Sequence, residues 1–221
     1  MFNQGFFTMI REIGRAPIPT KYGSWTYVAF SHRDKKHTAV FLGERPTDRC
    51  LVRVHSSCAT SELFGAVNCD CREQLDAAMM LIHQEGAGVV VYLDQEGRGT
   101  GISGKLAQLN NMFGWENGQI VQRSDHEGPI DTVKGYQMAG LAPESRDFNV
   151  AAQILLHLGV SEVTLLTNNP RKLGFLRDAG LLVSQRELHI APPNEIVARD
   201  LASKARDLGH TISPDQYHWS G

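Results

Sequence analysis

The chain has 221 residues, of which 42% are hydrophobic, 21% charged and 8% aromatic, and its formal net charge is -2. That length fills one large domain or two small ones around a sizeable core, with the composition of a globular protein in water. The near-neutral charge excludes nucleic-acid binding through a bulk basic excess, and no apolar run is long enough to span a bilayer.

Residues 25–31 and 38–42 are rich in β-formers, and the polar SHRDKKH between them reads as a hairpin loop. Residues 51–56 form a third strand leading to Cys58. Residues 72–85 read as a helix, because Leu75, Ala78, Met79 and Ile82 make one apolar stripe. Gly86 and Gly88 end it, and GVVVYL follows as a fully buried strand. Helices are expected at 102–112, 132–139, 148–158 and 171–178, strands at 163–167 and 181–188, and a polar loop at 113–129. PPNEIVARDLASKARDLGH starts at Pro and ends at Gly, the asymmetry of a helix. Such alternation predicts an α/β protein whose helices cover a buried sheet. One domain is expected over 1–221: a strand-rich part at 1–57, a ligand-binding part at 58–210 and a loosely held tail at 211–221.

Four cysteines occur, and three of them, Cys58, Cys69 and Cys71, fall in RVHSSCATSELFGAVNCDC. Three thiolates suit zinc and leave a coordination position open, as in hydrolytic rather than structural sites. Two packed cysteines near a strand end are the plainer alternative, and a disulfide ranks last because C-x-C rarely closes a good bridge. Clustered free thiols point to a reducing cytoplasm, and MFNQGFFTMIREIG lacks the features of a secretion signal. Cys50 reads as a packed strand residue. His55 is open between zinc ligand, pocket wall and packing. DQEGRGTG lies between a buried strand and a helix, where backbone N–H groups can cradle phosphate. Within it Glu96 offers a carboxylate that complements guanine's N–H donors, and Arg98 can grip phosphate. TNNPRK repeats the theme with Thr167 and Lys172; alone, Lys172 reads as a solvated helix lysine. In SRDF, spacing alone makes Ser145 or Asp147 a helix cap and leaves Arg146 in solvent.

Taken together, RVHSSC with CDCREQLDAA, YLDQEGRGTGISGKL, DTVKGYQMAGLAPESRDF and LLTNNPRKLGFL resemble the GTP cyclohydrolase II family, zinc enzymes that open the guanine imidazole ring at the start of riboflavin synthesis. The resemblance runs from about Arg53 to the C-terminal helix. It implies a three-layer α/β/α fold with a mixed sheet, and a homodimer. It implies zinc on Cys58, Cys69 and Cys71, and Mg2+ with the triphosphate. It implies a GTP contact set of Arg53, Val54, His55, Ser56, Ser57, Gln74, Glu96, Gly97, Arg98, Thr132, Thr167 and Lys172. Arg146 would attack the α-phosphorus and release pyrophosphate, with Glu144 as its neighbouring acid, and this role replaces the solvent reading.

Departures are also visible. Ser57 stands where the family has a carboxylate beside the zinc, Asp94 where it has Arg, Ala107 for Arg, Leu109 for a pocket Tyr, and Glu144 for Asp. The loop after Asn110 is about a dozen residues longer than usual. Leu109 has no donor or acceptor to place a second water, so a formylamino-pyrimidine product is one expectation. Action on another nucleotide is a second, and a non-catalytic nucleotide-binding zinc module a third.

Overall fold

The structure, a computed structural model, describes residues 9–213, so most of the secretion-signal reading and most of the tail fall outside it. Strand β1 (Arg11–Thr20), β2 (Gly23–His32) and β3 (Lys35–Leu42) form an antiparallel meander. The expected hairpin loop shrinks to a two-residue turn, because Arg33 takes a left-handed φ of 55° and the strands run on through SHRDKKH. β1 has no counterpart in the sequence reading. Pro17 and Pro19 fit only an edge strand, and β1 pairs with β2 alone and is largely exposed.

Then follow β4 (Arg49–Ser56), a single turn α1 (Ala59–Glu62), α2 (Cys71–Glu85), β5 (Gly88–Leu93) and α3 (Gly101–Met112). Two small hairpins come next, β6 (Phe113–Glu116) with β7 (Gln119–Gln122) and β8 (Ser124–Asp125) with β9 (Gly128–Pro129). They replace the expected structureless loop. The signal was present: Asn117 and Gly118, both at positive φ, make the turn between Trp115 and Ile120. Helices α4 (Thr132–Met138) and α5 (Asn149–His157), strand β10 (Glu162–Leu166), helix α6 (Pro170–Asp178), strand β11 (Leu182–Arg186) and helix α7 (Glu195–Leu208) complete the order.

The main sheet is seven-stranded in the order β1-β2-β3-β5-β4-β10-β11. β3 pairs with β5 antiparallel, whereas β5, β4, β10 and β11 are mutually parallel, so the sheet is mixed as expected. Helices cover both faces. On one, Ile154 and Leu155 of α5 and Leu176 of α6 pack against Phe30, Phe41, Val52 and Val89. On the other, Ala78 and Ile82 of α2 pack against Trp25, Leu51 and Val90. Cys50 is buried in the first core, as a packed strand residue should be.

Chain order reverses about β4, with β5 reached on one side and β10 on the other. In an open α/β sheet the crevice at the carboxyl ends of strands beside such a reversal is where ligands bind. β4 ends at Ser56, β5 at Leu93 and β10 at Leu166, each within a few residues of a chemistry-bearing motif of the sequence.

Candidate active site

The loops leaving β4, β5 and β10 enclose one polar cavity with contributions from α3, α4 and α7. Three thiols sit at its β4 side. Their ligand atoms all lie within 4.8 Å of one another, and Cys58 Sγ stands 3.7 Å from Cys69 Sγ. Zn–S bonds of about 2.3 Å in a tetrahedron place sulfurs about 3.8 Å apart, so the spacing fits the metal. Hydrogen bonds from Cys69 and Cys71 drive the Cys58 thiol far down, against burial and with help from Lys105. Cys69 is pushed up to about 11 and Cys71 also rises, each first by its hydrogen bond to Cys58. The thiols thus share protons among themselves, and a divalent ion would displace them. Lys105 Nζ lies 4.0 Å from Cys58 Sγ, and no resolved sequence signal separated this lysine from an ordinary helix lysine.

Around the thiols a carboxylate organises the backbone. Glu62 accepts hydrogen bonds from Cys58 N at 3.1 Å and Tyr92 Oη at 2.5 Å, and pairs with His55 Nε2 at 2.8 Å. His55 thus lines the cavity and holds Glu62, and it lies outside the three-thiol cluster. Burial lowers its proton affinity, with the Glu62 hydrogen bond opposing. Ser57 Oγ is buried without a partner in the protein. Glu96 spends its carboxylate on backbone, accepting from Ala59 N at 2.7 Å and Gly97 N at 2.9 Å. It ties the β5 loop to the first turn after Cys58.

Cations gather in the same cavity, within electrostatic reach of Cys71. Arg53 is buried, donating from Nη1 to Leu166 O at 3.0 Å and from Nη2 to Gln74 Oε1, while its Nε has no partner. Burial brings Arg53 down to about 10 against the pull of Asp70. Lys172 Nζ donates to Val54 O at 2.8 Å; burial, then Arg53 and Arg146, push its pKa well down. His210 falls to about 2 through burial and then the charges of Lys204, Arg98, Arg146 and Lys172. Arg146 is paired with Glu144 and Lys204 with Asp200, but the gathered cations still repel one another enough to lower Lys172, so the place favours a polyanion.

The SRDF segment reaches this place through a glycine. A Cβ on Gly99 would come within 2.7 Å of the Ser145 carbonyl carbon, and its φ is +94°. Only glycine therefore lets the β5 loop pack against residues 145 and 146, where Ser145 N donates to Arg98 O at 3.0 Å. Arg98 itself takes a left-handed φ of 54°, a strain that concentrates at functional sites. Glu144 grips Arg146 with both oxygens, one at 2.8 Å from Nε and the other on Nη2. Burial would raise the Glu144 carboxyl, but Arg146 outweighs it and holds the group at about 2. Arg146 faces the cavity and is no solvent-exposed flank of a cap; Asp147 makes the local turn, accepting from Asn149 N.

Of the residues singled out in the sequence, the cavity gathers the three cysteines, Arg53, His55, Ser56, Ser57, Gln74, Glu96, Gly97, Arg98, Thr132, Arg146, Thr167 and Lys172. Val54 and Glu144 are not among its walls. Val54 points into the apolar core and contributes only its carbonyl, to Lys172. Glu144 stands behind Arg146.

The chain matches the family described as GTP cyclohydrolase II over residues 11–187. It belongs to the GTP cyclohydrolase II family. Among curated proteins it is 38% identical to riboflavin biosynthesis protein RibBA of Phocaeicola vulgatus, over 88% of this chain and 46% of that one. It is 37% identical to RibBA of Chlorobium phaeovibrioides, over 93% of this chain and 47% of the relative. The chain thus spans about half the length of these relatives. A solved structure, RibBX from A. baumannii, aligns with a TM-score of 0.42 at 19% identity over 82% of this chain and 41% of that one, too loose a likeness to bear on the fold.

This GTP cyclohydrolase II family member also puts residues in the cavity that the motifs did not show: Asp70, Lys105, Tyr136, Asp200, Lys204 and His210. Tyr136 is almost fully buried, and burial raises its pKa while Lys105 and Arg98 draw it down. Leu109, one turn beyond Lys105, is not a wall of the cavity. A phenol therefore reaches the site from α4 where the sequence suggested that none would come from α3. Among the described residues no helix is long and apolar enough to cross a membrane.

Proposed function

We propose that this chain hydrolyses GTP, opening the imidazole ring with release of pyrophosphate and formate to give a pyrimidine nucleotide for riboflavin synthesis. The observation that carries the reading is a three-thiol cluster and a buried cation cluster within one cavity, at the ends of parallel strands. Zinc, held by Cys58, Cys69 and Cys71, would supply Lewis acidity and a nucleophile from water at neutral pH. Arg53, Lys172 and Thr167 would receive the triphosphate with its Mg2+, which would relieve the repulsion from Arg53 and Arg146 that, after burial, lowers Lys172. Glu144 would aim Arg146 at the α-phosphorus and accept the guanidinium proton only as the nitrogen–phosphorus bond forms and pyrophosphate leaves, since its low pKa makes it a weak base before then. Lys105 would add positive charge beside the thiols, and Tyr136 a hydroxyl that can orient water. Gln74, fixed by Arg53 and by Asp70 Oδ2 at 2.7 Å, would help hold the nucleotide.

The test is to incubate the zinc-loaded protein with GTP and Mg2+ and to measure pyrophosphate, formate and the mass of the pyrimidine. One pyrophosphate and one formate per GTP are expected, and ATP should be refused. No product from GTP would sink the reading. Pyrophosphate without formate would assign the formylamino-pyrimidine, the outcome expected if Leu109 governs the second hydrolysis.

A further inference from the structure

Helix α7 lies beyond residues 11–187 of the family match, yet it forms a wall of the cavity through Asp200, Leu201 and Lys204. The turn pitch brings this about: residues 200 and 204 are one helical turn apart and share a face. Asp200 is only 2% exposed. Its Oδ2 is ion-paired with Lys204 Nζ at 2.5 Å, and Lys204 Nζ also stands 3.6 Å from Asp70 Oδ1. The other oxygen, Oδ1, is buried without a hydrogen-bond partner in the protein. Thr132 lies close enough for its hydroxyl to help hold the carboxylate, Arg98 adds positive charge, and both line the same cavity. Burial pushes the carboxyl's pKa up, but Lys204 and Arg98 hold it below its ordinary value, so it stays an acceptor.

An ionised carboxylate can only accept hydrogen bonds, and leaving one buried oxygen empty is costly. An aspartate that served only to neutralise Lys204 would do so as well with that oxygen in solvent. Here Asp200 lines, with Thr132, the cavity that a nucleotide would fill, and Oδ1 is closed off from solvent. Guanosine nucleotides carry donors of the required kind on the base, at N1–H and the exocyclic amine, and on the ribose, at its hydroxyls; the amine and the hydroxyls are the ones an analogue can remove singly.

We propose that Asp200 is a substrate-specificity residue whose Oδ1 accepts a hydrogen bond from the nucleotide, from the guanine exocyclic amine or a ribose hydroxyl. The assignment rests on the GTP reading above.

The experiment compares GTP, inosine triphosphate, which lacks the amine, and 2′,3′-dideoxy-GTP, which lacks the hydroxyls. Each is assayed for pyrophosphate release (kcat/KM) and for equilibrium binding, with the native protein, Asp200→Ala and Asp200→Asn. The native protein should favour GTP over one analogue by about tenfold or more, the size of a hydrogen bond to a charged group. Asp200→Ala should lose a similar factor on GTP and nothing on that analogue, so that the preference disappears. If inosine triphosphate is the insensitive partner, Asp200 reads the base; if the dideoxy nucleotide is, it reads the sugar. Asp200→Asn keeps the shape beside Lys204 and should show the same pattern more weakly, which guards against misfolding of the Ala variant. Equal losses on all three nucleotides would make Asp200 merely structural and overturn the proposal, as would a native protein that treats all three alike. If nothing is turned over, the GTP hydrolase reading fails, and the binding ratios alone then decide the role of Asp200.

Discussion

Strands β2 and β3 alternate buried with half-buried or exposed residues, whereas β4 and β5 are buried almost throughout. The first pattern belongs to antiparallel strands with one wet face, the second to parallel strands covered on both sides. Yet the parallel strands are where charge has gone inside. Arg53 and His55 sit within β4, and Lys172 follows close after β10. In the meander the central inward positions are Val28, Phe30, Ala39 and Phe41, fully buried and apolar, with Thr26, His32 and His37 buried toward its ends. One half of the sheet is spent mainly on packing, and within it burial pushes His37 down to about 4. The other carries buried cations and thiols that cost stability unless a ligand completes them.

This contrast can be broken from either side. Phe41→Ala should remove about 3–5 kcal/mol of stability, the cost of a core cavity, while leaving the KM for GTP unchanged; denaturant unfolding and steady-state kinetics check both. A large rise in KM would show that the meander is coupled to the site. Arg146→Ala should do the reverse. We expect roughly a hundredfold loss of pyrophosphate release, about 2.7 kcal/mol, with nucleotide binding reduced far less. Release at the native rate would return Arg146 to the role of a residue flanking a helix cap.

A gentler test uses pH. His210 is held at about 2 against an ordinary 6.5 by burial and then by neighbouring cations. Its folded form binds fewer protons than the unfolded chain, so its contribution is full above pH 6.5 and is lost as pH falls from there toward 2. The slope should approach about 1.4 kcal/mol per pH unit, and His210→Gln should flatten it. Unfolding free energies independent of pH between 6.5 and 5 would contradict the assigned burial.

Much of the fold was legible because periodicity is local. GVVVYL and the apolar stripe of α2 announce themselves within a few residues. β1 was not legible, since an exposed edge strand carrying Pro17 and Pro19 has no alternation to find. The β6–β7 hairpin was legible at Asn117–Gly118, although its polar flanks masked the signal. In the site, residues close to glycines and cysteines stood out. Asp200 and Lys204 did not, because on α7 they look like any i, i+4 surface pair. Their burial comes from how α7 packs on α4, a contact between distant segments. Glu62 was hidden for the same reason, its partners His55 and Tyr92 being 7 and 30 residues away.

The central claim is that three thiols create the reactive centre of this cavity. Its most direct measurement is zinc content alongside GTP turnover in the native protein and in Cys69→Ser. The account predicts about one zinc per native chain, and both zinc and turnover lost in the variant, because a neutral hydroxyl is a far poorer ligand than a thiolate. A Cys69→Ser protein that keeps its zinc and opens the guanine ring at the native rate would contradict it.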